Sequence, residues 1–296
     1  MTAPGVVDVV EYTDPGCSWA WGSEPKLRRL RWRHSARLRW RRVMGGLVGD
    51  MANYLDGFDA AAAAPGFARY WERVGATTGM PHPAHLARMY RSTEPACVAV
   101  KAAERQGEAA AEHVLRRLRE ATFLFGAPPD TPERIRAALH GLPVDVARLA
   151  ADMESDAVRE AFAADWRETR APNAYVRALV EDGEGAGGAK VSEGHTRYVF
   201  PTLVFRGAGR EATVPGWKPY ERYVEAIEDV VPRATGEPRP DPTPAQAFAA
   251  WPLLAARELE VLCGPGASPP LDVLRRDAGG GVFWLTAAEA AARGIG

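Results

Sequence analysis

A chain of 296 residues, 46% of them hydrophobic, can build one large domain with an insertion, or two domains. Its formal net charge of −1 supplies no global field toward nucleic acid or an anionic membrane, so neither is expected as a partner. Three cysteines in a chain this long exclude a disulfide scaffold, and with no C-x-x-C pair among them no metal site is expected.

The first residues, Met1-Thr2-Ala3-Pro4, carry no cationic segment and lead straight into an apolar run, so no signal peptide is expected. No apolar stretch approaches the roughly 18 residues that a membrane helix needs. The expected compartment is therefore a reducing cytoplasm, where disulfides are transient. Val6-Val7-Asp8-Val9-Val10, continuing to Tyr12, predicts a buried strand. Thr13-Asp14-Pro15-Gly16 is a turn signal, and residues 24–30 read as a helix. Cys17 thus falls between a strand end and a helix start. Helix N-termini present unpaired N–H groups and partial positive charge, which stabilise a thiolate. From this position alone the Cys17 pKa is expected below the ordinary value of about 8.5. The competing reading of Cys17 is a buried structural cysteine.

Residues 38–43 predict a second strand, parallel to the first, with the helix as crossover and the charge of an edge strand. Arg28, Arg29, Arg31, Arg33, Arg37, Arg39, Arg41 and Arg42, with Trp32 and Trp40 between them, read as a solvated helix face and a protected edge rather than a nucleic-acid patch. Residues 43–50 form a loop in which Met44 and Gly45 are candidates to line a site. From 66 to 170 the periodicity is helical, with segments at 93–105, 108–125, from 131, at 145–153 and at 156–170. Thr93 or Ser92, and Thr131 before Pro132, are candidate caps. Gly183, Gly185, Gly187 and Gly188 follow a helical pattern and precede a strand, the reverse of a phosphate loop, so a flexible loop is expected. Residues 199–205 predict a strand, 206–210 a hairpin turn, 211–214 its antiparallel partner and 219–231 a helix. Residues 236–242 are a Pro-rich linker. Beyond it, helices are expected at 244–251, 253–262 and 271–276, a strand at 282–285, and a last helix capped by Thr286, in a winged-helix-like shape. Cys97 falls on the apolar side of a helix and Cys263 at a helix end. His82 and His85 flank Pro83 in a loop, and His195, six residues before Pro201, is placed to approach a site there.

Asp14-Pro15-Gly16-Cys17-Ser18-Trp19-Ala20-Trp21-Gly22 resembles the D-P-x-C-x-W-C-W-G signature of cytoplasmic DsbA-like proteins with a thioredoxin fold. Val199-Phe200-Pro201-Thr202-Leu203-Val204-Phe205 resembles that family's cis-proline strand, which lies beside the reactive cysteine and holds a bound peptide or thiol. Ser92-Thr93-Glu94-Pro95-Ala96-Cys97-Val98-Ala99-Val100-Lys101-Ala102-Ala103 resembles the first helix of its inserted helical domain. The likeness runs from about residue 6 to residue 230. It implies an α/β, thioredoxin-like fold with an inserted all-helical domain and a small C-terminal appendage. The implied divisions are 1–65 and 181–235 for the two halves of the thioredoxin-like domain, 66–180 for the insertion, and 236–296 for the linker and appendage.

Carried over position by position, the resemblance makes Cys17 the nucleophile and Pro201 the cis-proline. It makes Pro15, Ser18, Trp19, Trp21, Phe200, Pro201 and Thr202 the substrate-binding residues. Where the family has its second cysteine, this chain has Ala20, so the resolving position has no thiol. The implied activity is that of a DsbA-like thiol–disulfide oxidoreductase, or of a monothiol transferase using a thiol of the glutathione or mycothiol type. The alternative is a redox-lapsed binding or adaptor protein that presents a partner, for example to a protease. No bound cofactor is expected; a low-molecular-weight thiol is the implied co-substrate, and a protein disulfide or such a thiol the implied partner. Without a thiol at 20, only an outside thiol clears a mixed disulfide.

Overall fold

The computed structural model describes residues 5–231 and 237–295. The leading Met1-Thr2-Ala3-Pro4 and the start of the Pro-rich stretch at Gly236 lie outside the described residues.

The apolar N-terminal run forms β1 (Val7–Thr13), which is buried along nearly its whole length. α1 (Ser18–His34) crosses over to β2 (Leu38–Met44), which pairs parallel to β1 with Val7 opposite Leu38 and Thr13 opposite Met44. β5 (Thr202–Gly207) lies antiparallel on the other side of β1, with Tyr12 opposite Thr202. β6 (Arg210–Pro215) returns antiparallel to β5 through Ala208 and Gly209, whose φ angles of 47° and 74° give a left-handed two-residue hairpin turn. The sheet order is β2-β1-β5-β6, so the charged β2 is an edge strand. α9 (Tyr220–Val230) packs on this sheet, burying Tyr223, Ala226, Ile227 and Val230. This register decides the site. It sets the end of β1, and hence Cys17, beside the start of β5, and hence Phe200 and Pro201.

Between the two halves of the sheet run α2 (Ala60–Thr78), α3 (Glu94–Glu104), α4 (Glu108–Phe123), α5 (Pro132–Ala138), α6 (Val146–Met153), α7 (Asp156–Thr169) and α8 (Ala174–Ala178). α2 begins earlier than its periodicity suggests because Asp59 accepts from the Ala62 N–H at 2.7 Å. Thr131 caps α5 ahead of Pro132. Thr93 occupies the N-cap position of α3, but its hydroxyl is committed elsewhere, and Ser92 Oγ accepts from the Glu94 N–H instead. α3 to α7 share one core around Cys97, Val100, Leu118 and Phe162. The chain then closes a short hairpin, β3 (Lys190–Ser192) with β4 (His195–Arg197). No helix among the described residues is long and apolar enough to cross a membrane.

The C-terminal part departs from its sequence reading. α10 (Pro244–Ala250) forms as expected, with a capping box from Thr243. The expected helix at 253–262 is instead β7 (Leu253–Ala255) followed by α11 (Ala256–Cys263). The expected helix at 271–276 is β8 (Val273–Ala278), which pairs antiparallel with β9 (Gly281–Thr286), and α12 (Ala287–Arg293) follows the Thr286 cap. Short apolar runs satisfy both periodicities, and pairing with β9 in a sheet of order β7-β9-β8 decides between them.

The arginine-rich segment also departs from expectation. Most of α1 is buried, and Arg28, Arg31 and Arg42 are internal counter-ions rather than part of a solvated face, while Arg29 and Arg33 are partly exposed and Arg39 and Arg41 stay exposed on the edge strand. Arg28 pairs with Glu24 and Glu258, Arg31 with Glu24 and Glu112, Arg42 with Glu11 and Glu112, and Arg29 and Arg33 with Asp241. Glu258, 0% exposed, also receives both terminal nitrogens of Arg116 at 2.9 Å. The carboxylates Glu258, Glu112, Glu11 and Asp241 that meet this charge come from distant segments, which no local pattern displays.

Candidate active site

Cys17 is the N-cap residue of α1. Its N–H donates to the Asp14 carbonyl at 3.2 Å, and its thiol donates to the Phe200 carbonyl at 3.4 Å. The Phe200–Pro201 peptide bond is cis. The turn before Cys17 is held by the buried carboxylate of Asp14. One oxygen accepts from the Gly16 N–H at 2.7 Å; the other accepts from Leu47 N–H at 2.6 Å, Thr93 hydroxyl at 3.0 Å and Cys97 thiol at 3.3 Å. The Tyr90 hydroxyl donates to the Gly16 carbonyl at 3.2 Å. A side chain at Gly16 would meet Thr93 Cγ2 at 2.5 Å, and one at Gly45 would meet the Phe200 ring at 2.1 Å. Both glycines are therefore required by close approach rather than by flexibility.

Cys17, 6% exposed, faces a cavity of about 470 Å³. Its walls are Trp19, Phe67, Tyr70, Trp71, Tyr90 and Phe200. Trp19 Nε1 donates to the Tyr70 hydroxyl at 2.9 Å, which fixes the aromatic wall. The β3–β4 hairpin forms the rim. Its turn residue Glu193 accepts from Gly49 N, Asp50 N and Asn53 Nδ2, and the Tyr54 and Ser192 hydroxyls share a hydrogen bond of 2.5 Å.

Of the residues named from the sequence, Cys17, Ser18, Trp19 and Phe200 line the cavity. Pro15, Pro201, Thr202 and Trp21 do not. The Thr202 hydroxyl turns back to the Val199 carbonyl at 2.6 Å. Trp21 is in the core, stacked near Phe123 with its N–H on the Pro81 carbonyl, because the helix carries it a turn away from the cavity. Ala20 is fully buried, in the apolar cluster that holds Cys17 and Phe200. Met44 belongs to the helical core instead of the site, and Gly45 backs Phe200 from behind. His195 is exposed and packs edge-on against Trp166, outside the cavity. Its strand sends Arg197 inward instead. Among the described residues no cluster of His, Cys, Asp or Glu is arranged to hold a metal. Asp14, Tyr70, Tyr90 and Arg197 also build the site. Asp14 is marked in the sequence by its place in the Asp14–Gly22 motif; Arg197 carries no signal that separates it from the other arginines.

The electrostatics correct the expectation of a depressed thiol. Burial pushes the Cys17 thiol up, and the Asp14 carboxylate adds to this. The N–H groups of Ala20 and Trp19 and the Arg197 guanidinium pull the other way without prevailing. Burial likewise raises Asp14 against all its donors, and raises Cys97 well above an ordinary thiol.

Comparison with known proteins gives a consistent picture. A family model described as Thioredoxin matches residues 11–173, over half of the chain. The ClpXP adapter protein SpxH of Shouchella clausii is 23% identical over 234 residues, covering 78% of this chain and 69% of that protein. The cytosolic disulfide reductase DsbM from Pseudomonas aeruginosa superposes with a TM-score of 0.51 at 18% identity, over 74% of this chain and 97% of that one. The same reductase with GSH superposes with a TM-score of 0.50 at 18% identity, again over 74% of this chain and 97% of that one. At these identities the structural likeness speaks for the fold.

Proposed function

The chain belongs to the thioredoxin family, with a DsbA-like thioredoxin fold, and from that premise we propose that it carries out thiol–disulfide exchange through the single thiol of Cys17. The observation that carries this reading is the placement of the Cys17 sulfur. It sits at a helix N-cap, 3.4 Å from the Phe200 carbonyl, at the wall of a cavity of about 470 Å³. The Cys17 thiolate attacks one sulfur of a disulfide. Its bond to that sulfur forms as the old S–S bond breaks, and the other half leaves as a thiolate. A second thiol, deprotonated, then attacks the mixed disulfide, leaves as the new disulfide, and returns Cys17 as a thiolate. With Ala20 at the third position after Cys17, this second thiol comes from outside. A low-molecular-weight thiol of the glutathione or mycothiol type is the co-substrate in this reading, supplied by a reducing cytoplasm; the structure of DsbM with GSH supports that choice.

Incubation with oxidised glutathione, followed by intact mass, tests the proposal. Wild type should hold a long-lived adduct at Cys17, and Ala20→Cys should show an internal disulfide instead. No adduct in wild type, or its resolution by Cys97 or Cys263, overturns the single-thiol reading.

The name of the curated relatives favours a second reading, an adaptor that presents a protein partner to a protease. There Cys17 contributes shape rather than chemistry. Full retention of the cellular role by Cys17→Ser would select it.

A further inference from the structure

Arg197 lies on the inner face of β4 and lines the cavity beside Cys17. It is 8% exposed. Among the described residues its one hydrogen bond donates from Nη1 to the Tyr198 carbonyl at 2.8 Å, and its guanidinium carbon stands 4.7 Å from the centre of the Phe200 ring. Nε is buried with no hydrogen-bond partner among the described residues. Arg197 makes no salt bridge among the described residues, unlike the arginines of α1.

A buried cation without an anion is costly, and buried charges are ordinarily paired. The carboxylates around Arg197 are committed elsewhere. Asp14 is saturated by Gly16, Leu47, Thr93 and Cys97. Glu193 is held by the N–H groups of Gly49 and Asp50 and by Asn53. Glu184, at the rim, pairs with Arg73. Cys17 keeps its proton on the Phe200 carbonyl and brings no lasting charge to Arg197. Lys190, opposite Arg197 in the hairpin and also lining the cavity, adds a second cation at the mouth. Guanidinium groups match planar carboxylates through paired N–H donors.

We propose that Arg197 is the specificity-determining residue of the cavity, holding a carboxylate of a small thiol or disulfide whose apolar part lies against Trp19, Tyr70 and Trp71. The assignment rests on the exchange reading of Cys17 only for the sulfur of that ligand; the anion site itself stands without it. The site then selects anionic thiols over neutral ones of the same size, and Phe200 keeps the guanidinium plane in place.

Two probes test it. The first is an unreactive thioether, S-benzyl thioglycolate, titrated calorimetrically against its neutral amide. Wild type should bind the acid tighter by about tenfold or more, the range expected for a charge-assisted hydrogen bond. Arg197→Gln should abolish the difference and Arg197→Lys should keep part of it. The second is the rate of Cys17 modification by dithiodibenzoate against dithiodibenzamide. Arg197→Gln should slow the anionic disulfide selectively. Equal binding of acid and amide by wild type overturns the proposal without any variant. Equal slowing of both disulfides also overturns it, because Arg197 then acts only through the Cys17 thiolate. A preference for the acid alongside an unreactive Cys17 would retain the anion site and refute the exchange reading instead.

Discussion

The thiol of Cys17 donates to the carbonyl oxygen of Phe200, the residue that enters the cis bond with Pro201. The sulfur therefore meets an acceptor on the β5 side and donors on the α1 side. Its proton satisfies the carbonyl, and removing the proton would set a thiolate against that oxygen. This opposes the helix N-terminus in the same direction as burial does. In the ligand-free protein Cys17 should titrate above the ordinary thiol value of about 8.5. The rate of alkylation by iodoacetamide against pH measures this, with Cys17→Ser as the blank. A midpoint below the ordinary value would mean that the helix N-terminus outweighs burial.

Asp14 is the anchor of the turn that presents Cys17. Asp14→Ala leaves Gly16 N–H, Leu47 N–H, Thr93 hydroxyl and Cys97 thiol without their acceptor. Each buried unpaired donor costs about 1–3 kcal/mol, so a loss of about 3 kcal/mol or more is expected. Urea unfolding should show a lower midpoint with an unchanged slope. A loss under about 1 kcal/mol would mean that water replaces the carboxylate.

The buried ion network gives the protein a defined acid limit. Burial pushes Glu120 up, but Arg293, Arg116 and Arg117 outweigh it and hold the carboxyl at about 2. Arg31, against burial and with help from Arg42, holds Glu112 at about 2. Both lie below the unfolded value of about 4.3. A group with a depressed folded pKa stabilises fully above its unfolded pKa and loses that contribution as pH falls toward its folded pKa. Stability should therefore fall steeply from about pH 4.3 downward, read by thermal melts across pH. Flat melting temperatures between pH 5 and pH 2 would contradict it.

Glu258 ties the C-terminal strands and helices to α1 and α4. Glu258→Ala removes the bidentate partner of Arg116 and one of the two carboxylates on Arg28, leaving Glu24 and Glu120 to hold them, and should destabilise by about 1–3 kcal/mol. Replacement of Glu258 with little change in the denaturation midpoint would show that the apolar contacts of β7 and β9 suffice for docking.

Gly45→Ala drives a methyl group into the Phe200 ring. Overpacking of this kind costs typically about 1–3 kcal/mol. Because the displaced ring is also the wall beside Cys17 and Arg197, ligand affinity should fall together with stability. Calorimetric titration of S-benzyl thioglycolate, beside a thermal melt, reads both. Lost stability with unchanged affinity would place the Phe200 ring outside the ligand's reach.

What could be read directly from the residues is what short-range physics decides. The apolar run into Tyr12, the Ala208-Gly209 turn, the Thr131-Pro132 and Thr286 starts and the place of Cys17 at a strand-to-helix junction all depend on neighbours within a few positions. The tertiary structure decided everything that depends on partners far along the chain. Burial of Cys17 against Phe200 reversed the direction in which its thiol is shifted. Glu24, Glu112 and Glu258 turned Arg28, Arg31 and Arg42, three of an apparently solvated row of arginines, into internal ion pairs. Residues 273–278 became a strand because β9 lay beside them. Arg197 is distinguished only by its fold neighbours, because Asp14, Glu193 and Glu184 are held by other groups. Desolvation and charge pairing are sums over a three-dimensional neighbourhood, and a spacing of residues along one segment carries neither.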